Sequence, residues 1–246
     1  MSKSRSAPMF LGDLRSVLFV VAMCLWGSAA SAQNRYDRMA PIQQYLSDNS
    51  DAEIALALSA APLSVSRDAE VLVLSRHGYE MARKGSNGFT CLVERSWGAD
   101  FDDSEFWNPR IRSPLCFNAS ASRSVYPSYR MRTEWVLEGL SLPELRRRTR
   151  SAVAARVIAS PDVGAMSYML SKDAYLGDKV KGRWHPHLMF YLPRADAGVW
   201  GVSKDNPAVY GGPLLEEPIT LFLVPVATWS DGSPQGNHDL AGDDNH

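Results

Sequence analysis

Two cysteines constrain the folding of this chain more than any other feature: Cys91, inside the apolar run Phe89-Thr90-Cys91-Leu92-Val93, and Cys116, inside Leu115-Cys116-Phe117. The third cysteine, Cys24, falls in an N-terminal segment with the layout of an export leader. Lys3, Arg5 and Arg15 come first, then the apolar run 17–26, then small residues ending in Ala30-Ser31-Ala32. That order predicts a cleavable signal peptide over residues 1–32, cut between Ala32 and Gln33. A membrane-spanning helix would need about 20 apolar residues, and this run breaks at Gly27-Ser28. A lipid anchor on Cys24 would want a small residue before it, where Met23 stands, with apolar Leu25-Trp26 following. The expected product is periplasmic or secreted, with no membrane span after cleavage. In an oxidising compartment Cys91 and Cys116 are expected to form one disulfide, two buried thiols being the alternative. Closing a loop of about 25 residues would stabilise the fold by roughly 3 kcal/mol. The spacing excludes a Cys-x-x-Cys redox pair, and two cysteines cannot supply a four-cysteine zinc site.

Removal of the leader leaves 214 of the 246 residues, the size of one ordinary domain. Residues 33–229 read as that single globular domain, and 230–246, polar and almost without apolar residues, as a disordered tail. The leader carries three basic residues against Asp13, so the net charge moves from −1 to −3. A near-neutral domain lacks the basic footprint that nucleic acid requires.

Residues 36–61 read as two short helices. Ser50, followed by Glu53 and then Ile54-Ala55-Leu56-Ala57-Leu58, has the form of a capping box, and Pro62 stops the helix. Glu70-Val71-Leu72-Val73-Leu74 reads as a strand and 79–83 as a second extended piece. A third strand, 89–94, follows the reversal Gly85-Ser86-Asn87-Gly88, whose residues tolerate positive φ. Together they suggest a meander. Residues 96–113, rich in aromatic and acidic side chains, read as a long loop forming the wall of a binding surface, its ends tied by the disulfide.

Two helices follow. The first, 127–140, spaces Tyr129, Trp135, Val136 and Leu140 helically and ends at Gly139. The second opens with the capping box Ser141-Leu142-Pro143-Glu144 and carries an apolar stripe of Leu145, Ala152, Val153 and Val157. Arg146-Arg147-Arg148-Thr149-Arg150 lies off that stripe, either as an anion patch or, more plainly, as a solvated face. Strand-like runs resume at 165–170, 187–192 and 219–224. Strands at both ends with helices between them predict an α+β fold: an antiparallel sheet of five to six strands, a central pair of helices and a short helical N-terminal segment.

Three stretches, Gly85-Ser86-Asn87-Gly88-Phe89-Thr90-Cys91-Leu92-Val93-Glu94-Arg95, Gly164-Ala165-Met166-Ser167-Tyr168-Met169-Leu170 and His185-Pro186-His187-Leu188-Met189-Phe190-Tyr191, resemble a family of exported bacterial proteins of unknown function. The likeness runs over about 53–226. It implies a single domain and a bacterial source, and it implies no reaction, ligand or catalytic residue.

Signatures of nucleophilic, nucleotide-binding and haem chemistry are absent from the sequence: there is no Gly-x-Ser-x-Gly elbow, Walker loop, dinucleotide fingerprint or His-Glu-x-x-His. The most chemical feature is Trp184-His185-Pro186-His187. Residues two apart on an extended chain share a face, so His185 and His187 could meet one divalent metal such as zinc, with His77 or an acid (Asp102, Asp103, Glu105) as third ligand. The plainer reading has His187 donating to a backbone carbonyl and His185 at the surface. Met166, Tyr168, Met169, Met189, Phe190 and Tyr191 suit an adaptable apolar pocket, or simply core, with Arg76, Arg95 or Lys172 at a polar end. The leading expectation is a non-enzymatic envelope domain, without a cofactor, that binds a small ligand or another envelope protein. The rival is a metal-dependent enzyme using His185 and His187.

Overall fold

Alternation of apolar side chains builds one sheet with two different faces. The structure, a computed structural model, describes residues 36–236 apart from 181–183, 204 and 207. The expected leader, its Ala32–Gln33 cleavage point and the last ten residues of the tail lie outside them. Among the described residues no helix is long and apolar enough to cross a membrane.

Eight strands form a single sheet: β1 (Glu70–Ser75), β2 (Gly78–Arg83), β3 (Thr90–Glu94), β4 (Ser113–Phe117), β5 (Met166–Met169), β6 (His187–Pro193), β7 (Tyr210–Pro213) and β8 (Ile219–Pro225), in the order β2-β1-β3-β4-β5-β6-β8-β7. The α+β class holds, and the sheet is larger than the five to six strands expected. β4 is short and carries Pro114. β7, Tyr-Gly-Gly-Pro, has the composition of a turn, which an edge strand tolerates because half of its backbone groups need no partner.

The expected meander is corrected. β1 and β2 form an antiparallel hairpin, but β3 lies on the other side of β1 and runs parallel to it, pairing Glu70 with Thr90 and Val71 with Cys91. The segment after β2 therefore crosses the start of β1. Gly85 makes the crossing possible, since a Cβ there would stand 2.1 Å from the Glu70 nitrogen.

α1 (Ser50–Leu58) covers one face of β1, β3 and β4, where Val71, Cys91, Val93 and Cys116 pack with Ala57, Ala60 and Ala61. Cys91 and Cys116 are register partners on adjacent strands and form the disulfide. The capping residue of α1 is Asn49, whose side chain accepts from the Ala52 amide, not Ser50. The expected capping box fails because the Glu53 carboxylate is drawn inward, where it accepts from buried Arg95 and from the Leu74 amide. Pro62 does not end α1, which stops at Leu58; it precedes the single turn α2 (Leu63–Ser66).

The opposite face carries the larger core. Leu72, Leu74, Leu92, Leu115, Phe117, Met189 and Tyr191 meet Tyr45, Trp97, Phe101, Phe106 and Trp107. The aromatic loop 96–113 is thus mostly interior. Phe101 and Phe106 stack at 5.7 Å, Phe106 meets Trp107 edge-on at 4.8 Å, and the Trp97 indole donates to Thr133 Oγ1. Three helices follow it: α3 (Ala119–Ser124), α4 (Tyr126–Leu137) and α5 (Leu142–Ala154). α3 is an addition to the expected pair. Gly139, at φ +84°, stands two residues beyond α4, and the capping box of Ser141 and Glu144 opens α5 as expected. The stripe on α5 is narrower than expected: Leu145 and Thr149 are buried, while Val157 lies beyond the helix and is exposed. In the arginine run, Arg148 pairs with Glu138 and Arg150 with Glu216, as befits a solvated face.

Order extends further along the tail than its composition suggested. The Trp229 amide bonds to the Ser233 carbonyl and the Gln235 amide to the Ala227 carbonyl, while Asp231 caps the turn through Ser233 and pairs with Lys172. Local side-chain hydrogen bonds order this polar segment without apolar burial.

Candidate functional site

Residues 187, 189 and 191 of β6 point to the larger-core face, as alternation requires, and so do 219, 221, 223 and 225 of β8, each opposite one of them or beside it. The helices do not fill this face completely. Between it and α4 lies a cavity of about 150 Å³, comparable to engineered cavities that accept one aromatic ring. Its walls are largely apolar: Phe117, Val125, Met189, Tyr191, Ile219 and Leu221.

Glu94, the last residue of β3, is the exception. It follows Leu92 on the same side of the strand and brings a half-buried carboxyl to the cavity. Burial raises that carboxyl to about 8; nearby Arg132 opposes the shift and Glu217 adds to it. At neutral pH Glu94 therefore carries a proton, so it can both donate and accept a hydrogen bond.

Every other charged or phenolic group at the wall is already engaged. Arg132 donates through Nη1 to the Trp97 and Ala99 carbonyls, 2.9 Å each, and through Nη2 to Glu217, with its guanidinium 4.3 Å above the Phe101 ring. Asp100 accepts from the Phe101 and Leu215 amides. The Tyr129 hydroxyl accepts from the Arg95 amide and shares a hydrogen bond with Tyr79, which donates to the Val93 carbonyl. Tyr191 bonds to Ser167. Burial holds Tyr79, Tyr129 and Tyr191 well above the ordinary phenol value, so all three are neutral. The Glu94 carboxyl alone among these groups has no hydrogen bond or ion pair among the described residues.

The expected pocket residues divide. Met189 and Tyr191 line this cavity, whereas Phe190 alternates to the other face, and Tyr168 packs on Phe89 beside the disulfide. None of the expected polar ends reaches it. Arg95 is wholly buried against Glu53, Tyr45 and Val93; Lys172 pairs with Asp231; Arg76 lines a shallow groove beside Met39 and Leu137. Of the long loop, Gly98, Ala99 and Asp100 contribute a wall.

His185 and His187 are brought together, as their spacing suggested, at a second pocket further along β6 and β8. His187 Nδ1 lies 2.8 Å from the His185 carbonyl, and His185 Nδ1 bonds to the Gln235 side-chain amide. His77 is elsewhere. It occupies the β1–β2 turn, four strand positions from β6 and so about 19 Å away along the sheet. Asp102 and Asp103 are exposed, and the buried Glu105 carboxylate accepts from Asn108 and from the Asp178 and Lys179 amides. No group of three or more His, Cys, Asp or Glu among the described residues stands ready to hold a metal ion. No protein-family model, curated protein or solved structure matches this chain.

Proposed function

We propose that this is an exported binding domain, periplasmic or secreted, which holds a small molecule in the cavity between the sheet and α4. The observation that supports this most is the Glu94 carboxyl, the unengaged polar group in a largely apolar enclosure whose other charged and phenolic groups are internally satisfied. A polar group placed in apolar surroundings without a partner costs free energy, and a ligand that pairs with it recovers that cost. The cavity volume fits a molecule the size of one aromatic ring. Its chemistry fits a single hydroxyl or amine, the hydroxyl meeting protonated Glu94 and the amine taking its proton to form an ion pair. Phe117, Tyr129 and Tyr191 offer ring faces to such a cation.

Titration calorimetry with benzyl alcohol, benzylamine and toluene tests the reading, on a Val180→Trp variant that closes the pocket beside His185 and His187. Either polar compound should bind at least tenfold more tightly than toluene, and Glu94→Leu should abolish the preference. Equal binding of all three, or a preference that survives Glu94→Leu, overturns it. A bulky Val125→Phe variant, predicted to fill the cavity, should remove binding while the chain remains folded by circular dichroism.

A further inference from the structure

The second pocket, about 240 Å³, is formed at the far end of the same sheet face by Leu176, Val180, Trp184, His187, Tyr210 and Leu223, and among the described residues that line it the histidines are the only acidic or basic side chains. Two of its lining residues carry buried polar atoms that have no hydrogen-bond partner, His187 Nε2 and Trp184 Nε1. They are complementary. The His185 carbonyl can only accept, so His187 Nδ1 must carry the ring proton, and Nε2 is left as an unoccupied acceptor. Trp184 Nε1 is a donor by chemistry. His187 is 8% exposed, so its acceptor cannot turn to bulk water. Burial also keeps the imidazole neutral by lowering its affinity for a second proton. Trp184, half-buried, packs edge-on against both His187 and Trp229, each at 5.4 Å.

We propose that this pocket is a second binding site, separate from the Glu94 cavity, for an uncharged apolar molecule bearing a hydroxyl group. The hydroxyl donates to His187 Nε2 and its oxygen accepts from Trp184 Nε1. One group thus supplies both missing partners, which an ammonium or a hydrocarbon cannot do. Apolar walls select the body of the ligand, and the absence of a carboxylate among them excludes a cation. Trp184 is the ring that turns to admit the oxygen, with Val180 and Tyr210, both exposed, at the mouth.

The probe pair is p-cresol and toluene, which differ by the hydroxyl alone, titrated by calorimetry against the Val125→Phe variant, whose Glu94 cavity is filled, while the indole N–H resonance of Trp184 is followed by NMR. The proposal expects p-cresol to bind at least tenfold more tightly than toluene and to shift the Trp184 N–H resonance downfield. His187→Phe should erase the difference while toluene binding persists. Val180→Trp, a change at an exposed position, should block both probes without disturbing the fold.

Equal affinity of that variant for the two probes, or a Trp184 resonance that does not move, overturns the assignment. So does stoichiometric zinc in purified protein that is lost on changing His185 and His187 to alanine, since a metal would then be the partner of Nε2.

Discussion

Glu94 and Arg95 are neighbours in the chain, and the sheet gives them opposite fates. Arg95, continuing the side of β3 that holds Val93, is wholly buried, with donors to Glu53, to the Tyr45 carbonyl and to the Val93 carbonyl. Glu94, one step earlier, faces the other way into a cavity where no described residue bonds to its carboxyl. A charge whose every bond is made inside the molecule is scaffold. A buried carboxyl left unmatched adds nothing to that scaffold, and the proposed ligand site rests on it.

The largest effect that can test this contrast comes from the Arg95 side. Arg95→Met leaves Glu53 buried without its cation and should destabilise the fold by about 3–5 kcal/mol, read from urea denaturation. If the loss is under about 1 kcal/mol, Arg95 is not the scaffold residue its bonds describe. Next is the fastener on the same side of the sheet. Replacing Cys91 and Cys116 together by serine should cost roughly 3 kcal/mol, and dithiothreitol should lower the wild-type melting temperature toward that of the variant.

Glu94→Gln should move the other way, and only above acid pH. Between the ordinary carboxyl value and about 8 the folded protein retains a proton that the unfolded chain has released. Stability is therefore lost as pH rises through that window. The glutamine variant escapes this loss. It should match the wild type near pH 4 and exceed it by about 1–3 kcal/mol at pH 8, a melting-temperature gain of about 2–4 °C per kcal/mol. A gain that does not grow with pH contradicts a protonated Glu94. The smallest effect belongs to the exposed arginines of α5. Arg148→Ala gives up one surface pair with Glu138 and should change stability by less than about 0.5 kcal/mol.

Local signals carried much of this fold. The capping box at Ser141 and the runs of β1, β3, β6 and β8 are written in contiguous residues, the disulfide was legible from the cysteine count, and the structure contains each. What needed distant partners was not legible. β7 is a strand because β8 is beside it, and the Tyr-Gly-Gly-Pro sequence does not show that by itself. Glu53 left its expected cap for an arginine 42 positions away.

The site was half readable. Met189 and Tyr191 were anticipated by alternation on β6, and the Trp184-His185-Pro186-His187 segment by its histidines. Glu94 stood in view, yet its meaning depends on α4 closing over it. One signal was available: Thr90, Leu92 and Glu94 share a side of β3, so a strand whose neighbours are buried ends in an inward-pointing acid.

The bridge between Cys91 and Cys116 also makes a closed ring of the chain. That ring contains Glu94, the cavity wall 98–100 and the aromatic loop. A protease that cuts once anywhere within it produces new ends but no separate fragment, and the two pieces stay covalently joined across paired strands. On a gel such a nicked protein would run as one band until a reductant is added, and then as two. The ring thus lets the part of the chain that walls the cavity survive a single cut.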